Sequence, residues 1–149
     1  MAQHTIDIKR TASAQWNGGV PQGAGTFAVG SGALEGKYSF NTRMGDEKGT
    51  NPEELIGAAH AACFSMALSF ALTSAGHPPT SVSTNAIVHF TRTDTGFAIP
   101  KIELITEGVV PGIDAATFAS TAEDAKRNCP VSKALAGVEI TLQASLKGA

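Results

Sequence analysis

Between Leu55 and Leu72 the chain carries a nearly unbroken apolar run, interrupted only by His60, Ser65 and Ser69 among its polar residues and rich in alanine. Asn51-Pro52-Glu53-Glu54 stands directly before it. Asn51 suits the cap that accepts free backbone amides, Pro52 suits the first helical position, and Glu54 falls where a capping box places its carboxylate. Gly76 and the Pro78-Pro79 pair mark the other end. The run is therefore a helix, and it has no polar face. Its length is at the short limit for crossing about 30 Å of hydrocarbon, so a core helix is the expectation rather than a membrane span. A helix apolar all round needs cover on every side, which one small sheet cannot supply. A second copy of the chain can.

The segments on either side follow strand chemistry. Thr5-Ile6-Asp7-Ile8-Lys9 alternates polar and apolar positions, and Gly18-Gly19, Pro21 and Gly23 break the region into turns. Residues 25–29 and 37–42 read as two further strands around a Ser31-Gly32 turn. Residues 82–92 and 97–110 form a probable hairpin across Asp94-Thr95-Gly96. A second helix opens after Pro111-Gly112, capped by Asp114, and runs through Phe118 and Ala122 to about Arg127. Asn128-Cys129-Pro130 breaks it, a short helix follows to Ala136, and residues 138–146 close the chain as a strand. This order is α+β: two helices packed on antiparallel sheet. At 149 residues and 42% hydrophobic content, residues 1–149 are expected to form a single domain.

A net charge of −2 with scattered Lys and Arg gives no basic footprint for nucleic acid or an anionic membrane. The expected partner is a small molecule or a second copy of the chain. No apolar stretch follows a basic head at the N-terminus, which argues for a cytosolic rather than an exported protein. The two cysteines are too few for a disulfide-stapled scaffold and lack zinc-type spacing. A reactive pair is the economical reading.

Cys63 sits in the middle of the apolar helix, where a free cysteine commonly behaves as a small buried hydrophobe. Cys129 precedes Pro130 and is thus placed at the N-cap of the short helix, where amides and the helix dipole favour a thiolate. A thiolate beside a second thiol can attack a peroxide bond and then close to a disulfide. That chemistry uses no metal and no bound prosthetic group. It does need a cation near Cys63, because burial alone raises a thiol above its ordinary pKa of about 8.5.

Arg43, in Phe40-Asn41-Thr42-Arg43-Met44, is the cationic candidate, with Glu53 or Glu54 as its carboxylate partner, and a solvated surface arginine is the equal alternative from spacing alone. Glu53 and Cys63 are ten positions apart on one helix, or about 15 Å along its axis, so they cannot touch within a chain. Arg43 bridging part of the gap, a helix that starts later or kinks, or an acid and thiol of one site on different subunits would satisfy that spacing, and the last is the expectation because the helix already asks for a second copy to cover it. His60 lies three positions before Cys63 on the same helix face and could serve as a base, but no third orienting group follows at useful spacing, so a core or interface histidine with a satisfied ring is the stronger expectation. His4, His77 and His89 form no ligand cluster with the cysteines.

Taken together, Asn41-Thr42-Arg43, the run from Lys48 to Leu68 around Cys63, Val110-Pro111-Gly112-Ile113-Asp114-Ala115 and Asn128-Cys129-Pro130-Val131-Ser132 resemble the osmotically inducible protein C (OsmC) branch of the OsmC/Ohr peroxidases. The resemblance implies an intertwined homodimer with sheets wrapped around two long central helices and two active sites at the subunit interface. It implies a peroxidatic Cys63, a resolving Cys129, an Arg43 that keeps the nucleophile ionised and a Glu53 that pairs with Arg43. It further implies an organic hydroperoxide substrate, a dithiol reductant such as a dihydrolipoyl group, and a role in oxidative and osmotic stress defence. The organic-hydroperoxide-resistance branch carries its arginine on an earlier loop, and Gln15-Trp16-Asn17-Gly18 offers none there. Two rival readings predict different behaviour: a non-catalytic dimeric binding protein with inert buried thiols, and a Cys-His hydrolase that depends on His60.

Overall fold

The computed structural model describes residues 5–148. The chain divides into two compact units, Met1–Pro52 and Glu53–Ala149.

The first unit is an antiparallel meander of β1 (Ala12–Asn17), β2 (Ala24–Val29) and β3 (Glu35–Ser39), in the order β1-β2-β3. Trp16 and Tyr38 pack ring to ring at 5.6 Å across the sheet, and Phe27 joins Tyr38 at 6.5 Å. Such cross-strand aromatic contacts are the main apolar content of so small a sheet. The strand expected over residues 37–42 stops at Ser39, because Ser39 and Thr42 form a capping box that starts the one-turn helix α1 (Phe40–Met44). The Ser39 hydroxyl accepts from the Thr42 amide at 3.1 Å, and the Ser39 amide donates to Thr42 Oγ1 at 2.8 Å. Thr5 to Lys9 is not a strand: its two isoleucines are exposed, so burial does not fix which face the segment presents. His4 lies outside the described residues.

The second unit is built on α2 (Pro52–Ser74), β4 (Ser81–Thr93), β5 (Gly96–Val109), α3 (Ala115–Asn128), α4 (Pro130–Ala134) and β6 (Glu139–Leu146). The expected helix begins at Pro52 and ends at Ser74. Beyond it, Gly76 takes φ of 87° and its amide donates to the Thr73 carbonyl at 3.0 Å, while the His77 amide donates to the Leu72 carbonyl at 2.8 Å. Only glycine adopts that left-handed turn cheaply, so the stop is local chemistry.

Strands β4 and β5 form the expected hairpin, pairing antiparallel from Ser81↔Val109 to Thr93↔Gly96 with an irregularity between His89 and Thr91. The sheet is not antiparallel throughout. β6 pairs parallel to β5, from Lys101↔Glu139 to Gly108↔Leu146, because α3 and α4 carry the chain back to the start of β5 before it re-enters the sheet. β5 is thus the central strand, in the order β4-β5-β6.

Alternate residues of β5, Ile102, Leu104, Thr106 and Gly108, are buried on one face. Against them pack Phe64, Leu68 and Leu72 of α2 and Phe118, Ala122 and Ala125 of α3. Each large side chain so buried contributes about 1.5–3 kcal/mol of transfer free energy. At Gly108 a Cβ would meet the Phe118 ring at 2.5 Å, so the glycine is what lets that ring lie flat on the sheet. A hydroxyl chain ties α2 to the strands: Ser65 donates to Thr84 at 2.7 Å, Thr84 lies 3.0 Å from Thr106, and Thr106 donates to the Ser83 carbonyl at 3.2 Å.

Only one side of α2 is covered in this way. Gly57, His60, Phe64, Leu68 and Leu72, spaced three or four apart, are buried, whereas Met66 is 76% and Phe70 74% exposed. By length and composition this helix is apolar enough to cross a membrane. Its buried face, with a histidine among the fully covered residues, is that of a helix packed on a sheet.

Candidate active site

Cys63 is held at the middle of α2, one residue before the buried Phe64. Cys129 is held at a junction: it ends α3, its amide donating to the Ala125 carbonyl at 2.8 Å, and it begins α4 with Pro130 at the first helical position. Proline after Cys129 cannot continue the α3 ladder, so the chain bends there and turns the sulfur inward. The two Sγ atoms lie 3.0 Å apart, in hydrogen-bond contact and reduced. The spacing exceeds the roughly 2.05 Å of a disulfide, and closing it needs a shift of about 1 Å.

Access to the two sulfurs differs. Cys129 is fully buried, whereas Cys63 is partly exposed and lines a cavity of about 570 Å³ together with Met66, Phe70 and Ala71 of α2 and Ala125 and Pro130. A small molecule entering that cavity meets Cys63 first.

The electrostatics lean the other way. Burial, reinforced by the neighbouring Cys129 thiol, pushes Cys63 above the ordinary thiol range, against a lowering contribution from the Val131 backbone. Burial also acts on Cys129, but the hydrogen bond shared with Cys63, the amides of Ser132 and Val131 and the Ser132 hydroxyl outweigh it and hold Cys129 below that range. Cys129 makes no full capping hydrogen bond through its side chain, so these donors act on its sulfur at longer reach. Within this unit a shared negative charge therefore favours Cys129, and ionising Cys63 calls for a cation.

Of the remaining sequence candidates, Arg43 lies in the last turn of α1 and is exposed within the first unit. Glu53 lies in the first turn of α2 and is 7% exposed, while the neighbouring Glu54 is exposed. A carboxylate as covered as Glu53 requires compensating partners. His89 pairs with Glu103 at 2.6 Å on the sheet, away from the cysteines in sequence and role, and this hydrogen bond lowers the Glu103 carboxyl.

His60 is a core histidine, as expected, but its hydrogen-bond partner is one that no reading of the sequence supplied. Its ring is fully buried, and Nε2 lies 2.8 Å from the Ser132 hydroxyl of α4. Its Nδ1 is buried with no hydrogen-bond partner among the described residues. Burial lowers its pKa and so favours the neutral ring, and with Nδ1 facing no partner among the described residues the favoured tautomer carries its proton on Nε2 and donates to Ser132. The orienting group comes from far along the chain, so no spacing near His60 reveals it. The one available signal is that Ser132 stands three positions after Cys129, as His60 stands three before Cys63.

Comparison with known proteins follows the same outline. Residues 45–143 match the model of the OsmC-like protein family. Peroxiredoxin OsmC of Escherichia coli is 55% identical over 143 residues, spanning 95% of this chain and 99% of the relative. The organic hydroperoxide resistance protein OhrA of Bacillus subtilis is 34% identical over 99 residues, 65% of this chain and 68% of that one. The crystal structure of an organic hydroperoxide resistance protein from Elizabethkingia anophelis superposes with a TM-score of 0.73 at 26% identity, covering 95% of this chain and 98% of that chain. With matches that run through both cysteine motifs and nearly end to end, the chain belongs to the OsmC-like protein family.

Proposed function

We propose that the protein is a thiol peroxidase that reduces organic hydroperoxides, with Cys63 as nucleophile and Cys129 as resolving thiol. The observation that carries this reading is the 3.0 Å contact between a cavity-lining sulfur and a fully buried one. The apolar walls supplied by Met66, Phe70 and Ala71 suit the hydrocarbon part of a hydroperoxide. Relatives named as organic hydroperoxide resistance proteins support the same substrate class.

In the proposed cycle the Cys63 thiolate attacks the distal oxygen of ROOH. The O–O bond breaks, its electron pair leaves with RO⁻, and a proton completes the alcohol. Cys63 is left as a sulfenic acid. The Cys129 sulfur then attacks the Cys63 sulfur, hydroxide leaves and takes up a proton as water, and a Cys63–Cys129 disulfide remains. The low pKa of Cys129 favours its ionisation for this attack and makes it the better leaving group later, when an external dithiol reduces the bond and is itself oxidised. A dihydrolipoyl group is the dithiol we propose, and the reducing cytosol the place where the pair is kept open.

Arg43 is the cation we assign to the Cys63 thiolate, with Glu53 to orient it. Two facts support the assignment: Cys63 needs a positive neighbour to ionise, and Glu53 is a carboxylate too covered to lack partners. Ten positions of α2 separate Glu53 from Cys63, about 15 Å of helix rise, so we place the acid and the thiol of one site on different subunits of a homodimer. The exposed Met66 and Phe70 on the uncovered side of α2 support such a dimer.

Mass spectrometry after a brief pulse of cumene hydroperoxide tests the cycle. The wild type is expected to form the Cys63–Cys129 disulfide and Cys129→Ser to hold a sulfenic acid at Cys63. Two thiols that survive excess peroxide, and that alkylate slowly, are the result that favours an inert dimeric binding protein instead.

A further inference from the structure

The contact between the cysteines is doubled by a second one. Cys63 and His60 lie on one face of α2, three positions apart, and Cys129 and Ser132 are likewise three apart where α3 passes into α4. Sulfur meets sulfur at 3.0 Å, and one helical turn away His60 Nε2 meets the Ser132 hydroxyl at 2.8 Å. Both His60 and Ser132 are buried. α4 is a single short turn of five residues, and a five-residue helix has little stability of its own.

We infer that the His60–Ser132 hydrogen bond is a positioning device for disulfide closure: it clasps the α4 turn to α2 and thereby holds the Cys129 sulfur within bonding reach of Cys63. The inference rests on the peroxidase reading and adds two residues to it. Neither touches the peroxide. Their positioning work falls on the second step, in which the Cys129 sulfur must approach by about 1 Å along the line to Cys63 before the water leaves, while the Ser132 hydroxyl also helps hold Cys129 acidic. A buried histidine with one ring nitrogen unpartnered among the described residues is a costly way to fill space, and a leucine or phenylalanine would fill the same site without that cost. A directed bond to Ser132 is what the histidine provides and a hydrocarbon does not.

The two half-reactions separate this role from general support of the fold. On the full chain, stopped-flow mixing with cumene hydroperoxide reads peroxide consumption by Cys63, and timed alkylation with mass detection reads closure of the disulfide. Ser132→Ala is expected to consume peroxide within about twofold of wild type and to close the disulfide about 10- to 100-fold more slowly, the loss typical of a reacting group misplaced by about 1 Å. Sulfinic acid at Cys63 is then expected to accumulate under excess peroxide. His60→Gln keeps an N–H donor near the Nε2 position and is expected to recover most of the closure rate, whereas His60→Ala matches Ser132→Ala. Should alanine at 132 damage the fold, Ser132→Thr against Ser132→Val compares a hydroxyl with a methyl at equal volume. A valine variant that closes as fast as the threonine variant overturns the inference, as does Ser132→Ala closing at the wild-type rate. Wild type that consumes peroxide without forming any Cys63–Cys129 disulfide overturns the proposed cycle itself, and the clasp with it.

Discussion

Cys63 and Cys129 are separated by sixty-six positions in the chain and by 3.0 Å between their sulfurs, and each changes the acidity of the other. Beyond the effect of burial, the Cys129 thiol raises Cys63 by hydrogen bonding and by charge, while the hydrogen bond between them lowers Cys129. Reciprocal shifts follow when either is removed. In Cys129→Ala the Cys63 thiolate is expected to appear at lower pH than in wild type, and in Cys63→Ala the Cys129 thiolate at higher pH. Ultraviolet thiolate absorbance against pH measures both, and two midpoints that do not move would mean that the sulfurs are not coupled in solution.

Overpacking at the centre of the second unit has a defined target. Gly108 faces the Phe118 ring at a distance where an added methyl would lie 2.5 Å from it, and Phe118 is fully buried. Gly108→Ala is expected to cost about 1–3 kcal/mol of unfolding free energy, the range for methylenes forced into a packed core. Pairing it with Phe118→Leu is expected to recover part of that loss. Urea unfolding of the two single variants and the double variant reads the coupling, and strict additivity would show that the two positions do not meet.

Asp114 opens α3 by accepting the Thr117 amide at 2.7 Å, and the Thr117 side-chain hydroxyl, together with that amide, keeps its carboxyl below the usual range. A carboxyl lowered in the folded state gives stability that is present above the unfolded carboxylate pKa and is lost as pH falls through the folded value. Asp114→Ala is therefore expected to melt below wild type at neutral pH, with the gap narrowing on acidification. Asp114→Asn retains a capping acceptor and is expected to fall between them. Melting curves across the acidic range check the sign, and a gap that widens at low pH contradicts it.

How much of this was legible beforehand depends on whether the cause was local. Pro52 and Gly76 fix the ends of α2 by their own backbone preferences, and Asp114 caps α3 by a bond to a residue three positions on, so all three could be read from short windows. The N-cap position of Cys129 followed from the proline after it for the same reason. The strand expected over residues 37–42 stops at Ser39 because the Ser39–Thr42 capping box, with threonine in place of the usual acid, overrides the β propensity of the segment. The parallel pairing of β6 and the His60–Ser132 bond depend on where the chain returns after long excursions, and the 72 positions that separate the latter pair leave no periodicity to detect. Cys63 and Cys129 were recognisable as a pair through their motifs, whereas the opposed bias of their acidities needed the positions of Val131 and Ser132 around them.

The uncovered side of α2 yields the last prediction. Met66 and Phe70 are four positions apart, so they stand one above the other on the helix, each about three-quarters exposed. Two large side chains of this kind, continuous with the cavity beside Cys63, cost solubility unless a partner removes them from water. Burying each against a second copy returns about 1.5–3 kcal/mol. A charge introduced there has to be desolvated in the dimer and is left in water in the monomer, so Phe70→Glu and Met66→Glu are expected to shift the association equilibrium by more than tenfold towards monomer. Sedimentation equilibrium reads the shift directly. A wild type that sediments as a monomer at micromolar concentration would remove the dimer, and with it the proposal that Glu53 and Cys63 of one site belong to different subunits.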